Sequence, residues 1–355
     1  MMIMSSNYSP VLNNWKAFGV DSSTSLTPMT GGTSADDVLL FKNKVGLSVD
    51  LGLGNDTLRL ASVSNSAFDL GDGQDTLTAT NVARTLISGG LGDDKMTVTG
   101  SYNILEGGVH GTAGSAELTD LTFGLLPGDR EMDYADDSAP PYTCDNDIIT
   151  ATGHFNVISG QGGDDRLTAT GNDNVLIGGY GSDYLTAKGN HNFLASGNLG
   201  GSDPSNGLVR DYLTVRGNDN VIQADAGDSI WITGGNNIVQ ITESSQLKGV
   251  LYATQTSSAS GNFLFLNDEH SDFSFSVARS GKADLAIVDV DTPTSFFTVA
   301  GQFAKSGLLG VDAIYTADGY VLDAAGINQA AHGVDVSGLW QLAAPPVPEA
   351  VIPVF

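Results

Sequence analysis

The sequence predicts an all-β chain: a right-handed parallel β-roll or β-helix solenoid with a β-rich C-terminal capping domain. Three observations predict it. Asp165-Arg166-Leu167-Thr168 returns 18 residues later as Asp183-Tyr184-Leu185-Thr186, and Asn172-Asp173-Asn174 returns as Asn190-His191-Asn192. Each repeat splits into two nine-residue halves, which make one coil of two turns and two short strands. The chain holds 45 Gly against 11 Pro, and glycine supplies the positive φ that tight coil corners need. Coils of this kind stack roughly 4.8 Å apart, the spacing of neighbouring strands.

Residues 1–30 are polar and irregular, with Trp15 and Phe18 as anchors. They read as an N-terminal cap on the first coil or as a tail. The roll occupies residues 31–243. Its first corners are Gly31-Gly32-Thr33-Ser34-Ala35-Asp36 and Leu51-Gly52-Leu53-Gly54-Asn55-Asp56. Leu70-Gly71-Asp72-Gly73-Gln74-Asp75 and Gly89-Gly90-Leu91-Gly92-Asp93-Asp94 follow. Glu106-Gly107-Gly108 opens another corner, but its aspartate waits until Asp147. The intervening residues 109–143 are acidic, contain Pro127, Pro140 and Pro141, and read as an insertion looping out of the coil. The repeat resumes with Gly160-Gln161-Gly162-Gly163-Asp164-Asp165 and then Gly178-Gly179-Tyr180-Gly181-Ser182-Asp183. A second insertion, residues 198–209, precedes Asp211. The last corner, ending at Asp228, has lost most of its glycines.

Rows of three kinds run along these coils: inward apolar residues, asparagines each with an apolar follower, and threonines. Leu58, Leu77, Met96, Ile149, Leu167, Leu185 and Leu213 point inward from one wall, and Leu105, Ile158, Leu176, Leu194 and Ile222 from the other. Asn103, Asn156, Asn174, Asn192, Asn220 and Asn237 recur at one fixed slot, which predicts a ladder of stacked amides. The residue after each is apolar: Ile104, Val157, Val175, Phe193, Val221 and Ile238. Strand alternation points this row outward. It is then either an exposed contact surface for assembly or a face covered by residues 109–143 or the C-terminal segment. A third row, Thr78/Thr80, Thr97/Thr99, Thr150/Thr152 and Thr168/Thr170, fades to Thr186/Lys188 and Thr214/Arg216. Outward threonine is ordinary sheet-surface chemistry, and a flat array of such pairs also resembles ice-binding solenoids. Residues 244–330 lose the period and alternate apolar with polar, as antiparallel strands do. Residues 331–355 form a looser tail with Pro345, Pro346, Pro348 and Pro353.

The run from Gly178 to Thr186 fits the nonapeptide GGxGxDxUx, where U is a large apolar residue. It resembles the RTX (repeats-in-toxin, hemolysin-type) calcium-binding repeat. Glycines expose backbone carbonyl oxygens and the aspartate adds a hard anionic oxygen, the ligand type Ca²⁺ prefers. The resemblance implies several Ca²⁺ ions held along the glycine–aspartate corners named above, from Asp36 to Asp228. Ser280-Gly281-Lys282-Ala283-Asp284-Leu285, Thr298 to Phe303 and Asp318-Gly319 are similar to the domain that follows such repeats in exported proteins. That implies a cap from which the roll nucleates. The end, Glu349 to Phe355, is one acid followed by apolar residues and is similar to a type I secretion signal.

Composition agrees. The net charge is -26 with only 15 Lys+Arg, which excludes a general nucleic-acid binder and opposes compaction unless cations neutralise it. Apolar residues make up 41%, too many for a disordered chain. Cys144 is the single cysteine, so no intrachain disulfide can form. No stretch suits a transmembrane helix, and the N-terminus lacks the basic region and apolar core of a secretory leader.

No catalytic constellation stands up. His110, His154, His191, His270 and His332 show no metal-ligand spacing, and His191 reads as a variant of Asp173 in a repeat corner. No nucleophile elbow is present. The expected function is therefore structural: a secreted calcium-binding protein that folds outside the cell and self-assembles into a layer, matrix or filament. A monomeric adhesin-like or ice-binding module, with a cell-surface glycan as partner, is the alternative. A noncatalytic module of a carbohydrate-modifying system is the third.

Overall fold

A computed structural model describes residues 27–108, 145–197, 210–225, 227–241, 249–254, 261–277, 284–290, 296–303, 310–331 and 338–343. The chain divides into two compact units, residues 1–170 with 351–355, and residues 171–350. Both are parallel β-solenoids in which successive strands join two sheets alternately.

In the first unit one sheet runs through Thr27–Thr33, Leu47–Gly52, Ala67–Asp69, Leu86–Ser88, Ile104–Glu106 and Val157–Gly162. The other holds Val38–Val45, Thr57–Ser64, Thr76–Ala83, Lys95–Ser101, Ile148–Thr152 and Arg166–Thr170. The core is thin. It fills by alternating inward positions of facing strands, such as Leu77 and Ala79, Met96 and Val98, Ile149 and Ala151, against Phe68, Ile87, Leu105 and Ile158. Every residue of the two inward rows is buried. The register is strict: Leu58 pairs with Leu77, Leu77 with Met96 and Met96 with Ile149, so each leucine-type residue sits on its own copy one coil away.

In the second unit one sheet runs Val175–Tyr180, Phe193–Ala195, Val221–Ala224 and Ile238–Ile241, and the other Tyr184–Lys188, Tyr212–Arg216 and Ser229–Thr233. The sequence period stops at residue 243, but parallel pairing does not. Val250–Thr254 pairs with Ser229–Thr233, and Phe296–Ala300 pairs with Val250–Thr254. Phe263–Leu266 pairs with Ile238–Ile241, and Ala313–Thr316 pairs with Phe263–Leu266. The motif is lost there because longer excursions replace the glycine corners, while the strands keep their place.

Antiparallel strands then finish both sheets. Phe273–Val277 and Leu285–Asp289 form a hairpin that adds to Phe296–Ala300. Tyr320–Asp323 and Gln341–Leu342 extend from Ala313–Thr316. A helix, Ala324–Ala331, packs on Phe273–Val277, Ala313–Thr316 and Tyr320–Asp323. No helix among the described residues is long and apolar enough to cross a membrane. The insertions 109–143 and 198–209, nearly all of the 1–30 segment, Ser280 to Ala283 and most of the 331–355 tail lie outside the described residues.

Candidate functional site

The long strands of the first unit each begin one residue after an aspartate. Asp56 precedes Thr57–Ser64, Asp75 precedes Thr76–Ala83, Asp94 precedes Lys95–Ser101 and Asp147 precedes Ile148–Thr152. Strand register therefore stacks these aspartates into one column at a corner of the coil. Hydrogen bonds tie the column together. The Asp56 N–H donates to Asp75 Oδ1 at 2.6 Å, Asp75 N–H to Asp94 Oδ1 at 2.8 Å, and Asp94 N–H to Asp147 Oδ1 at 2.7 Å. The Asp147 N–H donates to Asp165 Oδ1 at 2.8 Å. In the second unit Asp183 N–H donates to Asp211 Oδ1 at 2.7 Å, and Asp211 N–H to Asp228 Oδ1 at 3.0 Å.

The second carboxylate oxygen is different. Oδ2 of Asp56, Asp75, Asp94 and Asp147 is buried and has no hydrogen-bond partner, and each of these residues is at most 2% exposed. Burying an ionised oxygen without a partner is costly. Burial accordingly pushes the Asp75 carboxyl up to about 6 and those of Asp94 and Asp147 to about 8. Asp165 rises to about 7, and Asp56, Asp211 and Asp228 rise for the same leading reason. The backbone N–H bonds pull the other way, and neighbouring aspartates of the column add repulsion.

Glycine surrounds these oxygens because nothing larger fits. A Cβ on Gly89 would overlap Asp94 Oδ2 and the Gly107 carbonyl oxygen, and one on Gly107 would overlap Asp147 Oδ2. Gly178 faces Asp183 Oδ2 in the same way. Gly71 and Gly90 form a second line: each has positive φ, and a Cβ on either would strike the carbonyl oxygen of Gly52 or Gly71 in the coil before. Gly54, Gly73, Gly92 and Gly163 repeat the pattern, and Gly179 and Gly181 share the positive φ. Gly160 and Gly162 lie within the strand Val157–Gly162. Carboxylate oxygens and carbonyl oxygens thus line one corner, a donor set of hard oxygens that fits Ca²⁺ better than a softer metal. Among the described residues no three His, Cys, Asp or Glu side chains gather as a metal cluster. The column offers one carboxylate per coil, with carbonyls to complete a shell.

Two expectations need correction. Asp36 does not belong to the buried column. Val38 pairs with Thr57, and Asp37 N–H donates to Asp56 Oδ1 at 2.7 Å, so Asp37 holds the slot. Asp36 lies one residue outside and accepts the Asn55 N–H at 2.8 Å. Asn55 accepts from Gln74 in turn, Asp93 from Asn146, and Asn146 from Asp164, an outer, exposed line running beside the inner one. The apolar row proposed for assembly is not an exposed patch. Val157 is 1% exposed, Val175, Val221 and Ile238 are buried, and Ile104 and Phe193 are half-buried. Alternation correctly faces the row away from Leu105 and Ile158, but this face is covered. Glu106, which strand alternation places on that same face, is buried too, and its carboxyl rises to about 7.

The opposite corner carries the amides. Asn103 N–H and Nδ2–H both donate to Asn156 Oδ1, each at 3.1 Å. In the second unit the same double bond runs Asn174 to Asn192, Asn192 to Asn220 and Asn220 to Asn237. It ends on Asn262, whose Nδ2–H caps the Gly234 carbonyl. Earlier coils put Ser66 and Thr85 in the slot, where the Thr85 N–H still reaches Asn103 Oδ1 at 3.2 Å. Before each ladder residue from Ser66 to Asn237 stands a non-glycine with left-handed φ: Asn65, Arg84, Tyr102 and Phe155 in one unit, Asp173, His191, Asp219 and Asn236 in the other. His191 thus occupies the Asp173 slot, with its ring nitrogens 3.9 Å from Asp173 and Asp219.

The repeat pattern gives no sign of one further cluster. His270 Nδ1 meets Asp318 Oδ2, the Thr316 hydroxyl donates to Asp318 Oδ1 at 2.7 Å, and the rings of Tyr320 and Trp340 pack on His270. The His270 N–H also donates to Asp318, so the cluster clips two loops together.

Comparison with known proteins adds one match. Residues 211–248 match a family described as a protein of unknown function (DUF3060). They cover the strands Tyr212–Arg216, Val221–Ala224, Ser229–Thr233 and Ile238–Ile241, with Asp211, Asp228, Asn220 and Asn237 at their corners. No curated protein matches the chain.

Proposed function

We propose that this chain is a noncatalytic, calcium-dependent structural protein of the extracellular space, which folds when Ca²⁺ fills its aspartate corner and then associates with copies of itself. The observation that carries the reading is the row of buried, unpartnered Oδ2 atoms on Asp56, Asp75, Asp94 and Asp147. Those atoms need either a proton or a cation. Extracellular fluids hold millimolar calcium, enough for a cation to displace the proton, whereas the cytosol holds little. A chain of net charge -26 stays extended until cations neutralise it, which suits export before folding. Assembly through the covered apolar row is set aside.

The test is a calcium titration of the full-length chain, followed by near-UV circular dichroism, melting and light scattering. The reading expects a folding transition and then growth in particle size in millimolar calcium. A full β signature and unchanged melting point in excess chelator would end it. A strictly monomeric calcium form would favour the second reading, an adhesin-like module, which the aromatic strip described next supports.

A further inference from the structure

The outward positions of the second unit's long strands change character from coil to coil. They read Tyr184, Thr186, Lys188, then Tyr212, Thr214, Arg216, then Ser229, Trp231, Thr233, with Tyr252 next. The four aromatic rings form one stack. Tyr184 and Tyr212 lie 4.6 Å apart at 5°, Tyr212 and Trp231 6.0 Å at 12°, and Trp231 and Tyr252 5.4 Å at 7°. Tyr184, Trp231 and Tyr252 are 46%, 37% and 43% exposed. The stack shifts sideways in its middle, because Tyr212 registers with Ser229 while Trp231 registers with Thr214. The 6.0 Å step exceeds the rung spacing of about 4.8 Å, so part of each ring face is left uncovered there. Tyr252 registers with Ala300, so the stack of rings ends there. Lys188 and Arg216 are exposed, register side by side, and form no ion pair with a described residue. None of these outward positions is a carboxylate, although the chain carries 41 Asp+Glu.

We propose that this strip binds an acidic polysaccharide, a slender chain of sugars bearing uronate carboxylates. Ring faces and edges offer apolar area to sugar C–H groups, Lys188 and Arg216 meet carboxylates, and Thr186, Thr214 and Thr233 offer hydroxyls. The strip spans three coil steps, roughly 14 Å, with the one sideways shift between Tyr212 and Trp231. Its charge selects a thin polyanion over a broad one. A membrane or a second copy would set a wide anionic surface against a body of charge -26. A single polysaccharide strand can keep its nearest carboxylates within about one Debye length, ~8 Å, of the two cations. The inference deepens the adhesin-like reading and does not depend on self-association.

The test titrates the calcium-loaded full-length chain with a hexauronate, too short to gel with calcium, and with a neutral hexaose, by calorimetry at two salt concentrations. The hexauronate should bind, more weakly at high salt, and the neutral sugar should not. Trp231→Ala and the pair Lys188→Glu with Arg216→Glu should each lower affinity roughly tenfold or more with no change in melting point. Equal binding of the neutral sugar, unaltered binding by the variants, or no binding overturns the proposal. So does capture by phosphatidylserine vesicles without hexauronate binding, or sedimentation showing that Trp231→Ala only disrupts a dimer. Calcium dependence is read separately by chelator melting, so a chain that folds without calcium yet binds hexauronate would end the calcium reading and keep this one.

Discussion

The two corners of the coil differ by a single atom per residue. At one, Asn103 uses Oδ1 to accept and Nδ2 to donate, and its donor reaches Asn156 Oδ1 and the Val82 carbonyl. At the other, Asp94 uses Oδ1 to accept in the same way, but its Oδ2 can only accept, and no donor is there. The amide column therefore satisfies itself. The carboxylate column is complete only with an added proton or cation. The same ladder of N–H to Oδ1 bonds thus yields an autonomous wall on one side and a conditional one on the other.

The sharpest way to break this comparison is to remove calcium. Each ion held at one hundred times its Kd adds about 2.7 kcal/mol, so several ions rival the ~5–15 kcal/mol that holds a domain folded. Excess chelator should weaken the near-UV signal of the Asp56-to-Asp147 unit and lower its melting point, and restored calcium should bring both back. Next in size, Asn103→Asp plants the conditional wall on the autonomous side. It leaves a buried carboxylate oxygen beside Asn156 and should cost about 3 kcal/mol at pH 7 by chemical denaturation.

Proton dependence comes third. Asp94 and Asp147 have folded values near 8 against an ordinary 3.8, so the folded, calcium-free chain binds more protons than the unfolded one between those values. Stability in chelator should then fall as pH rises from about 4 to 8, and saturating calcium should flatten the profile. A melting point in chelator that climbs over this range would contradict the burial of uncompensated carboxylates. Smallest is Asp94→Asn, which supplies the missing donor. It should raise the melting point in chelator by a few degrees, lower it in calcium, and reduce the number of bound ions. Equal shifts in both conditions would mean that Asp94 does not meet the cation.

Much of this was legible in the repeat. The period placed Asp56, Asp75 and Asp94 in one slot and Asn103, Asn156 and Asn174 in another, because equal spacing along a coil becomes vertical stacking. The Asp36 slot was misread although Asp37, not Asp36, keeps the 19-residue spacing of Asp56, Asp75 and Asp94, as the pairing of Val38 with Thr57 shows. The coils beyond residue 243 were invisible because parallel pairing of Val250–Thr254 and Phe263–Leu266 needs alternating apolar residues but no glycine corner. The cover over Val157 and Ile238 was one of two readings left open, since alternation says which way a side chain points and nothing of what meets it.

By itself the sequence determined the coil, the two kinds of corner and the surplus of negative charge, since all three depend on spacing and residue type alone. Only the tertiary structure decided that Oδ1 is spent on the neighbouring coil while Oδ2 is stranded, and that an aromatic strip lies open on one flank while the apolar row is hidden. Hydrogen bonding and burial are properties of what a group faces, and the facing partner comes from a coil 17 to 53 residues away.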